Sequence, residues 1–149
     1  MTETSPYDNL IMDHIRNARN YCVPDGATQS ATGTNPLCGD ELTLHLEIAD
    51  NCIRQIAFQC TCCGISMASA SIMTELISGK DIASTRTLLQ TFSAALQDRA
   101  AAPLQDATPE QRAILDTVKK YPARARCAAL AWETLQGALD HRSETVIQP

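Results

Sequence analysis

Apolar and polar residues alternate strictly between positions 41 and 48, which is the clearest pattern in the chain. This period of two predicts a strand with one buried face and one solvated face. Asp50 and Asn51 are turn residues, and residues 41–60 are therefore predicted to form an antiparallel hairpin. The apolar positions of its two strands are Leu42, Leu44, Leu46, Ile48, Ile56, Phe58 and Cys60.

Apolar residues recur at helical spacing in five other segments. Ser5-Pro6 predicts a helix start, with the first helix at about 6–19. The second begins after Cys63-Gly64 and ends near Gly79, where glycine favours a helix C-cap. Three more are predicted at about 82–98, at 109–119 and from Pro122 onward. Residues 27–34 could form a short strand, whereas 143–149 are predicted to be a frayed tail.

The length and the net charge of the chain predict a single acidic domain. The chain has 149 residues, of which 44% are hydrophobic, so a single domain over 1–149 is predicted. The net charge is −5 and no basic run is interleaved with aromatic residues, which disfavours a nucleic-acid partner. The apolar stretches are far shorter than the roughly 18 residues that span a bilayer, so no membrane partner is expected. The first residues lack the basic and apolar regions of a signal peptide, and a cytoplasmic location is expected.

Seven cysteines are unusual in a chain of this kind. In a reducing compartment, cysteines are more often metal ligands or reactive thiols than halves of disulfides. Several of them could instead be small buried hydrophobes, so each has to be considered by position. They are Cys22, Cys38, Cys52, Cys60, Cys62, Cys63 and Cys127.

The first candidate for chemistry is the segment Asn35-Pro36-Leu37-Cys38-Gly39-Asp40. Proline and glycine predict a tight loop, with Cys38 and Asp40 at its tip. Two anionic side chains at one tip repel each other, and a bound cation would relieve that repulsion. The structural alternative is a surface turn in which the aspartate bonds its own backbone.

Two further cysteines lie at informative places in the predicted elements. Cys63 stands where the hairpin gives way to a helix, and the free N–H groups there favour its thiolate. Cys127 lies on the apolar face of the last helix, near Arg124 and Arg126. For both, a purely structural thiol is the alternative.

Taken together, Cys38, Cys63 and Cys127 with Asp40 make four potential ligands. Zn²⁺ takes four, commonly thiolate, imidazole or carboxylate. Three thiolates and one carboxylate would give the site a formal charge of about −2. Because an oxygen ligand suits a soft-ligand site less well than a fourth thiolate, such a site would be more exchangeable than a four-cysteine cage.

Four segments carry a resemblance to a known family, and together they resemble the U-type iron–sulfur cluster assembly proteins. This group contains IscU, SufU and the N-terminal domain of NifU, and the resemblance extends from about residue 7 to 137. The segments are Ile11-Met12-Asp13-His14, Asn35-Pro36-Leu37-Cys38-Gly39-Asp40, Cys63-Gly64-Ile65-Ser66-Met67-Ala68-Ser69-Ala70-Ser71 and Tyr121-Pro122-Ala123-Arg124-Ala125-Arg126-Cys127-Ala128.

Within this group the chain is most similar to the SufU branch. That branch carries an insertion between its second and third cysteines, which we place at about 84–107. The IscU branch has a histidine immediately before the last cysteine and a Leu-Pro-Pro-Val-Lys chaperone motif. This chain has Arg126 at the first of these places and lacks the second.

The resemblance implies an α+β fold, with a small antiparallel sheet of about three strands packed against several helices. It also implies a Zn²⁺ site formed by Cys38, Asp40, Cys63 and Cys127. Arg124 stands at the position of an arginine common in SufU proteins and would orient the site or the partner.

The implied function is that of a zinc-dependent sulfurtransferase. A pyridoxal-phosphate cysteine desulfurase of the SufS type would hand over a persulfide sulfur, and a downstream iron–sulfur scaffold would receive it. Cys38 would be the acceptor, because a histidine of the partner would displace it from zinc and its thiolate would attack the persulfide. A true scaffold that assembles a [2Fe–2S] cluster on the same cysteines, and a zinc-stabilised adaptor without catalysis, are the other hypotheses.

The chain departs from the SufU pattern at 59–64, where it has Cys60-Thr61-Cys62-Cys63. Cys60 continues the inward alternation and is predicted to be core. Cys62 takes the place of a glycine beside a ligand, so it could be an extra thiol that touches the metal or the transferred sulfur. No role is assigned to Cys22 or Cys52. The three histidines are expected at the surface: His14, His45 and His141.

Overall fold

The predicted hairpin forms one side of a four-stranded sheet. A computed structural model describes residues 6–97 and 107–147, and the sheet has the strand order β3-β2-β1-β4. The strands are β1 (Gln29–Asn35), β2 (Asp40–Ala49), β3 (Cys52–Thr61) and β4 (Glu144–Val146). The helices are α1 (Pro6–Arg16), α2 (Gly64–Ile77), α3 (Ile82–Gln97), α4 (Pro109–Lys120) and α5 (Ala125–Leu139). The α+β class implied by the resemblance is therefore confirmed, although the sheet has four strands instead of about three and its β1–β4 pair is parallel.

The turn between β2 and β3 follows from its two residues. Asp50 and Asn51 have φ values of 53° and 63°, the left-handed conformation that two-residue hairpin turns of type I′ require at both positions. Aspartate and asparagine tolerate that conformation better than most residues. The strands are antiparallel, with one register shift at Glu47/Ile48.

A second hairpin joins β1 to β2 and carries the Cys38 segment as its loop. Asn35 and Asp40 face each other across the ladder, so residues 36–39 form the turn. Gly39 has a φ of 73°, which glycine adopts without steric cost, and its N–H donates to the Asn35 carbonyl at 2.9 Å. The predicted tight loop is therefore a hairpin turn.

Helices α2 and α5 pack against the sheet and against each other, and the remaining helices cover them. The core between these layers holds Trp132, which is fully buried. Its indole N–H donates to the Ser69 hydroxyl at 2.8 Å, and that hydroxyl donates to the Ala128 carbonyl at 2.6 Å. Helices α2 and α5 are thus joined by polar groups whose hydrogen bonds are satisfied, as burial requires.

The close approach of β1 to α5 depends on Gly33. A β-carbon built at this position would overlap the Thr134 hydroxyl and lie 3.2 Å from a methyl group of Leu130. A larger residue at position 33 would therefore push α5 away from the sheet.

Several boundaries differ from the sequence prediction. The short strand predicted within 27–34 is β1. The frayed tail predicted after residue 142 is wrong for 144–146, because this segment pairs in parallel with Thr32, Gly33 and Thr34 of β1 as β4. The first helix ends at Arg16 instead of extending to 19. The predicted insertion at 84–107 overlaps α3, and its part from 98 to 106 lies outside the described residues.

The surface prediction for His14 is wrong. It lies three residues after Ile11 on the buried face of α1 and is 2% exposed. Its Nδ1 is 2.7 Å from the Ser71 hydroxyl of α2, so the polar ring is buried with a hydrogen-bond partner. His45 is half-buried beside Ser30, and His141 is exposed as predicted.

Residues 20 and 21 run along the outer edge of β3. Phe58 N–H donates to the Asn20 carbonyl at 3.0 Å. The Tyr21 hydroxyl donates to the Cys60 carbonyl at 3.1 Å and lies 3.3 Å from the Cys60 N–H.

Among the helices of the described residues, none has both the length and the apolar character that crossing a bilayer requires.

Candidate metal centre

The loop between β1 and β2 presents Cys38 to solvent. Leu37 N–H donates to the Asn35 side-chain oxygen at 3.2 Å, and Cys38 N–H donates to the Asn35 carbonyl at 3.3 Å. Asn35 is itself buried at 2% exposure. Hydrogen bonds to Asn35 therefore fix the loop backbone, while the Cys38 side chain is exposed.

Asp40 joins the loop to the start of α2. Its carboxylate is buried and accepts the Cys63 N–H at 3.1 Å and the Ser66 hydroxyl at 2.7 Å. Cys63 is the N-cap residue of α2, in agreement with its predicted place at a helix start. A carboxylate has about four lone-pair positions, so Asp40 can accept both bonds and still coordinate a cation.

Ser66 was not singled out in the sequence. Besides its bond to Asp40, its hydroxyl lies 3.0 Å from the Cys127 carbonyl and 3.5 Å from the Cys63 sulfur. The spacing Cys63-x-x-Ser66 places the serine one helical turn from the cysteine, and this spacing was the available signal. Ser66 therefore touches three of the four predicted ligand residues.

Cys127 lies in the first turn of α5 and is buried. Burial raises the pKa of its thiol to about 12, and the neighbouring Cys63 and Cys38 sulfurs add to the rise. A thiol with this pKa is protonated at neutral pH unless a nearby cation offsets the charge of its thiolate.

The fold brings three of the four predicted ligands into one cluster. Cys38, Asp40 and Cys127 each offer a donor atom, and these atoms lie within 4.8 Å of one another. The Cys38 and Cys127 sulfurs are 3.7 Å apart. Cys63 borders this cluster, with its sulfur beside Cys127 and Ser66.

The donor set fits zinc. Two sulfurs bound at about 2.3 Å to a tetrahedral zinc ion are about 3.8 Å apart, which matches the separation of the Cys38 and Cys127 sulfurs. Thiolates with one carboxylate are ligands that zinc accepts, and soft sulfur donors also suit iron–sulfur clusters. The residues therefore suit either of the predicted groups.

Arg124 is exposed and lies beside the cluster. Its guanidinium forms a hydrogen bond with Cys127 and is close to the Cys63 and Cys38 sulfurs, and these contacts raise the pKa of Arg124. The structure thus places a permanent positive charge beside all three cysteines.

The structure differs from the prediction for Cys60 and Cys62. These two residues form a disulfide, so Cys62 is not the extra free thiol that the sequence suggested. Cys60 packs against the core as predicted, although it is half-buried. The spacing of two residues in a strand was the available signal, because such side chains point to the same face. The free thiols Cys22 and Cys52 lie outside the cluster.

Comparison with known proteins agrees with this arrangement. The NifU-like N terminal domain matches residues 6–128. The zinc-dependent sulfurtransferase SufU of Bacillus subtilis is 35% identical over 130 residues, which cover 87% of this chain and 86% of the relative. The iron–sulfur cluster assembly scaffold protein IscU of Thermotoga maritima is 33% identical over 133 residues, covering 89% and 92%.

Solved structures share the fold. A candidate iron–sulfur cluster assembly scaffold protein for the SUF system, from Fervidobacterium islandicum, superposes with a TM-score of 0.77 at 27% identity, covering 89% of this chain and 93% of its own. A NifU-like N-terminal protein from Brucella abortus gives a TM-score of 0.78 at 19% identity, covering 90% and 92%, and this second likeness concerns the fold alone. With a family match over most of its length, the chain belongs to the family of NifU-like N-terminal domains, the family that the four sequence segments indicated.

Proposed function

We propose that this chain takes part in iron–sulfur cluster assembly as a zinc-dependent sulfur acceptor, with Cys38 as the residue that receives the sulfur. The observation that carries the proposal is the contrast between Cys38 and Cys127. Their sulfurs are 3.7 Å apart, yet Cys38 is exposed on a loop and Cys127 is buried in a helix. Only the first of these thiols is accessible to a second protein. The named relatives SufU and IscU support the broader role.

Cys38, Asp40, Cys63 and Cys127 would hold the zinc ion. Bound zinc would keep the ligand cysteines as thiolates at neutral pH, which offsets the raised pKa of Cys127. Ser66 orients the Asp40 carboxylate through a 2.7 Å hydrogen bond. Groups that orient metal ligands in this way usually affect metal affinity.

The transfer step is a thiol–persulfide exchange. The Cys38 thiolate attacks the outer sulfur of a persulfide carried by a pyridoxal-phosphate cysteine desulfurase of the SufS type. A bond forms between Cys38 Sγ and that sulfur, while the bond to the desulfurase cysteine breaks and the latter leaves as a thiolate. Arg124 lies beside the Cys38 sulfur, where its guanidinium stabilises the anionic sulfur before and after transfer.

The sulfur then passes to a downstream iron–sulfur scaffold. Under this proposal the chain is an enzyme, a sulfurtransferase that acts together with the desulfurase. Its five free thiols suit the reducing cytoplasm, where thiols are maintained.

The Cys38→Ala variant tests the proposal. We expect loss of desulfurase stimulation by at least about tenfold, because without the thiolate no exchange can begin. The measurements are alanine production by a SufS-type desulfurase and the persulfide on Cys38 by mass spectrometry. Cys52→Ala, which removes a free thiol at the far end of β3, is the control and should stimulate like the wild type. Stimulation that survives in Cys38→Ala would exclude Cys38 as the acceptor.

The second candidate function is an IscU-type scaffold that assembles and transfers a [2Fe–2S] cluster. The observation in its favour is that the three cysteines and Asp40 are donors that also suit an iron–sulfur cluster. Zinc, iron and acid-labile sulfide in anaerobically purified protein discriminate the two functions. Zinc alone supports the sulfur acceptor, whereas iron with matching sulfide and little zinc supports the scaffold.

A further inference from the structure

The Cys60–Cys62 disulfide spans a single residue where β3 ends and the connection to α2 begins. Side chains at i and i+2 of a strand share a face, and the two α-carbons are 5.5 Å apart, within the usual range for a disulfide. The same chain positions can therefore hold two free thiols side by side or one disulfide, with little movement of the backbone.

This pair lies directly beside the candidate metal centre. Along the chain, Cys62 is followed by Cys63. Across the sheet, Glu41 pairs with Thr61, the last residue of β3, and the residues next to this pair along the chain are Asp40 and Cys62. The N–H of the peptide that joins Cys62 to Cys63 donates to the Asp40 carboxylate at 3.1 Å, and an oxygen of that carboxylate lies within 4.8 Å of the Cys38 sulfur.

The two cysteines differ in how firmly they are held. The carbonyl and the N–H of Cys60 both form hydrogen bonds with the Tyr21 hydroxyl, and the Cys60 sulfur lies 3.9 Å from Met67 Sδ. Cys62 follows the last residue of the strand and is nearer to Cys63 and Asp40. Along the chain Cys62 is thus the nearer of the two cysteines to the centre, and the bond between them shows that their sulfurs are within reach of each other.

We propose that Cys60 and Cys62 are a dithiol that reduces the sulfur carried on Cys38 and releases it as sulfide. This inference rests on the proposed function, because Cys38 must first carry a persulfide. It adds a reductive activity to the transfer step. In a reducing compartment, a disulfide is usually transient and catalytic or redox-sensing rather than structural. We assign the Cys60–Cys62 disulfide to this transient class because both residues are half-exposed.

The reaction has two exchanges. The Cys62 thiolate attacks the outer sulfur of the Cys38 persulfide, so that a bond to Cys62 forms and Cys38 leaves as a thiolate. The Cys60 thiolate then attacks Cys62 Sγ, the Cys60–Cys62 bond forms, and the transferred sulfur leaves as HS⁻.

In sum, one persulfide and two thiols give one thiol, one disulfide and one H₂S. The outer sulfur gains the two electrons that Cys60 and Cys62 lose. A cellular dithiol reductant would return the pair to its thiol form, and dithiothreitol serves that purpose in the test.

The test is a single turnover on the full-length, metal-containing protein. The protein is reduced with dithiothreitol, desalted anaerobically and given one equivalent of glutathione persulfide without further reductant. We expect about one sulfide per chain, together with the loss of the mass of two hydrogen atoms from the peptide that contains Cys60 and Cys62. In Cys62→Ser we expect at least tenfold less sulfide, with the persulfide retained on Cys38. Cys52→Ser, a free thiol at the far end of the same strand, should behave like the wild type.

The outcomes separate this inference from the proposed function. If Cys62→Ser carries the Cys38 persulfide and releases sulfide as fast as the wild type, the reductive role is wrong while Cys38 remains the acceptor. If neither protein forms a persulfide on Cys38, the proposed function itself fails. If Cys38→Ala still releases a full equivalent of sulfide, the pair acts on the donor directly, and the inferred sequence through Cys38 is overturned.

Discussion

Ser66 illustrates how one buried hydroxyl can control a ligand. It has a single proton, and the 2.7 Å contact with the Asp40 carboxylate is the shorter of its two acceptor contacts, so the proton goes to the charged group. Asp40 is thereby fixed in one orientation next to Cys38 and Cys127. Removing the hydroxyl would leave the carboxylate with one bond fewer and more rotational freedom.

We expect Ser66→Ala to lower zinc affinity about 10–100-fold, the usual effect of losing a group that orients a metal ligand. The measurement is competition with a chromogenic chelator. Ser69→Ala is the matched control, because Ser69 is also fully buried on α2 and bonds α5, but it contacts Ala128 and Trp132 instead of the cluster. It should reduce stability and leave zinc affinity unchanged. Equal zinc affinity in Ser66→Ala and the wild type would contradict the role of Ser66.

His14 makes stability depend on pH. Burial lowers the pKa of its imidazole below the ordinary value of 6.5, and the nearby Arg19 lowers it further, while Glu75 opposes the shift. Above about pH 6.5 the ring is neutral in the folded and unfolded states, so its contribution to stability is fully present. As pH falls below 6.5, the unfolded state binds a proton more readily than the folded state. The free energy of unfolding therefore falls by up to about 1.4 kcal/mol per pH unit.

Urea unfolding between pH 7.5 and 5 measures this slope. We expect His14→Gln to show a weaker decline of the free energy of unfolding than the wild type over this range. His141→Gln, which changes an exposed imidazole instead of a buried one, should follow the wild-type profile. Parallel profiles for the wild type and His14→Gln would show that His14 does not cause the dependence.

At the scale of elements, the contact between β1 and α5 leaves little room for a larger side chain at Gly33. Gly33→Ala would place a methyl group against the Thr134 hydroxyl, and overpacking of this kind typically costs about 1–3 kcal/mol. We expect the free energy of unfolding to fall by that amount. Gly26→Ala is the control, because a β-carbon there lies 3.4 Å from the Glu47 side chain in ordinary contact.

A double-mutant cycle with Thr134→Ala identifies the cause of the loss. Removing the hydroxyl should recover part of the stability lost in Gly33→Ala, because the two residues are in direct contact. Strictly additive effects of the two substitutions would contradict a steric clash between them.

The elements were largely predictable because most of them carry a periodic pattern. The period of two in β2 and the turn residues Asp50 and Asn51 predicted the β2–β3 hairpin. A 3₁₀ turn, Pro122–Arg124, begins where Pro122 predicted the start of the last helix, and α5 itself begins three residues later, at Ala125. By contrast, β4 has three residues, Glu144–Val146, and a segment this short shows no periodicity. Its pairing with β1 depends on tertiary contacts, which the sequence pattern does not contain.

At the scale of the molecule, the candidate metal centre joins three segments that are distant in sequence. These are the β1–β2 loop at 36–39, the start of α2 and the start of α5. The residues could be named from the sequence because thiols and a carboxylate have recognisable chemistry. Their convergence depends on the folded chain, which the pattern of residues does not contain. The spacings of Cys60 with Cys62 and of Cys63 with Ser66 allow the disulfide and the role of Ser66, but they do not specify either.

We expect removal of zinc to lower the thermal midpoint by several degrees, because metal bound only by the folded protein contributes its binding free energy to stability. Calorimetry with and without a chelator measures the shift. Hydrogen exchange should show faster opening at 36–40, 63–67 and 125–128, with little change at the Asp50-Asn51 turn. An unchanged midpoint after complete removal of zinc would exclude a structural role for the metal.

The contacts that Asn20 and Tyr21 make along the edge of β3 affect how readily copies of this protein aggregate. A free sheet edge exposes N–H and C=O groups that another chain can capture, which leads to aggregation. Asn20 and the Tyr21 hydroxyl occupy these groups at Phe58 and Cys60, and the Tyr21 ring packs edge-on against Phe58 at 5.1 Å between centroids. Another strand therefore cannot pair with β3 at Phe58 and Cys60, which lowers the tendency of this edge to cause aggregation close to the Cys60–Cys62 pair.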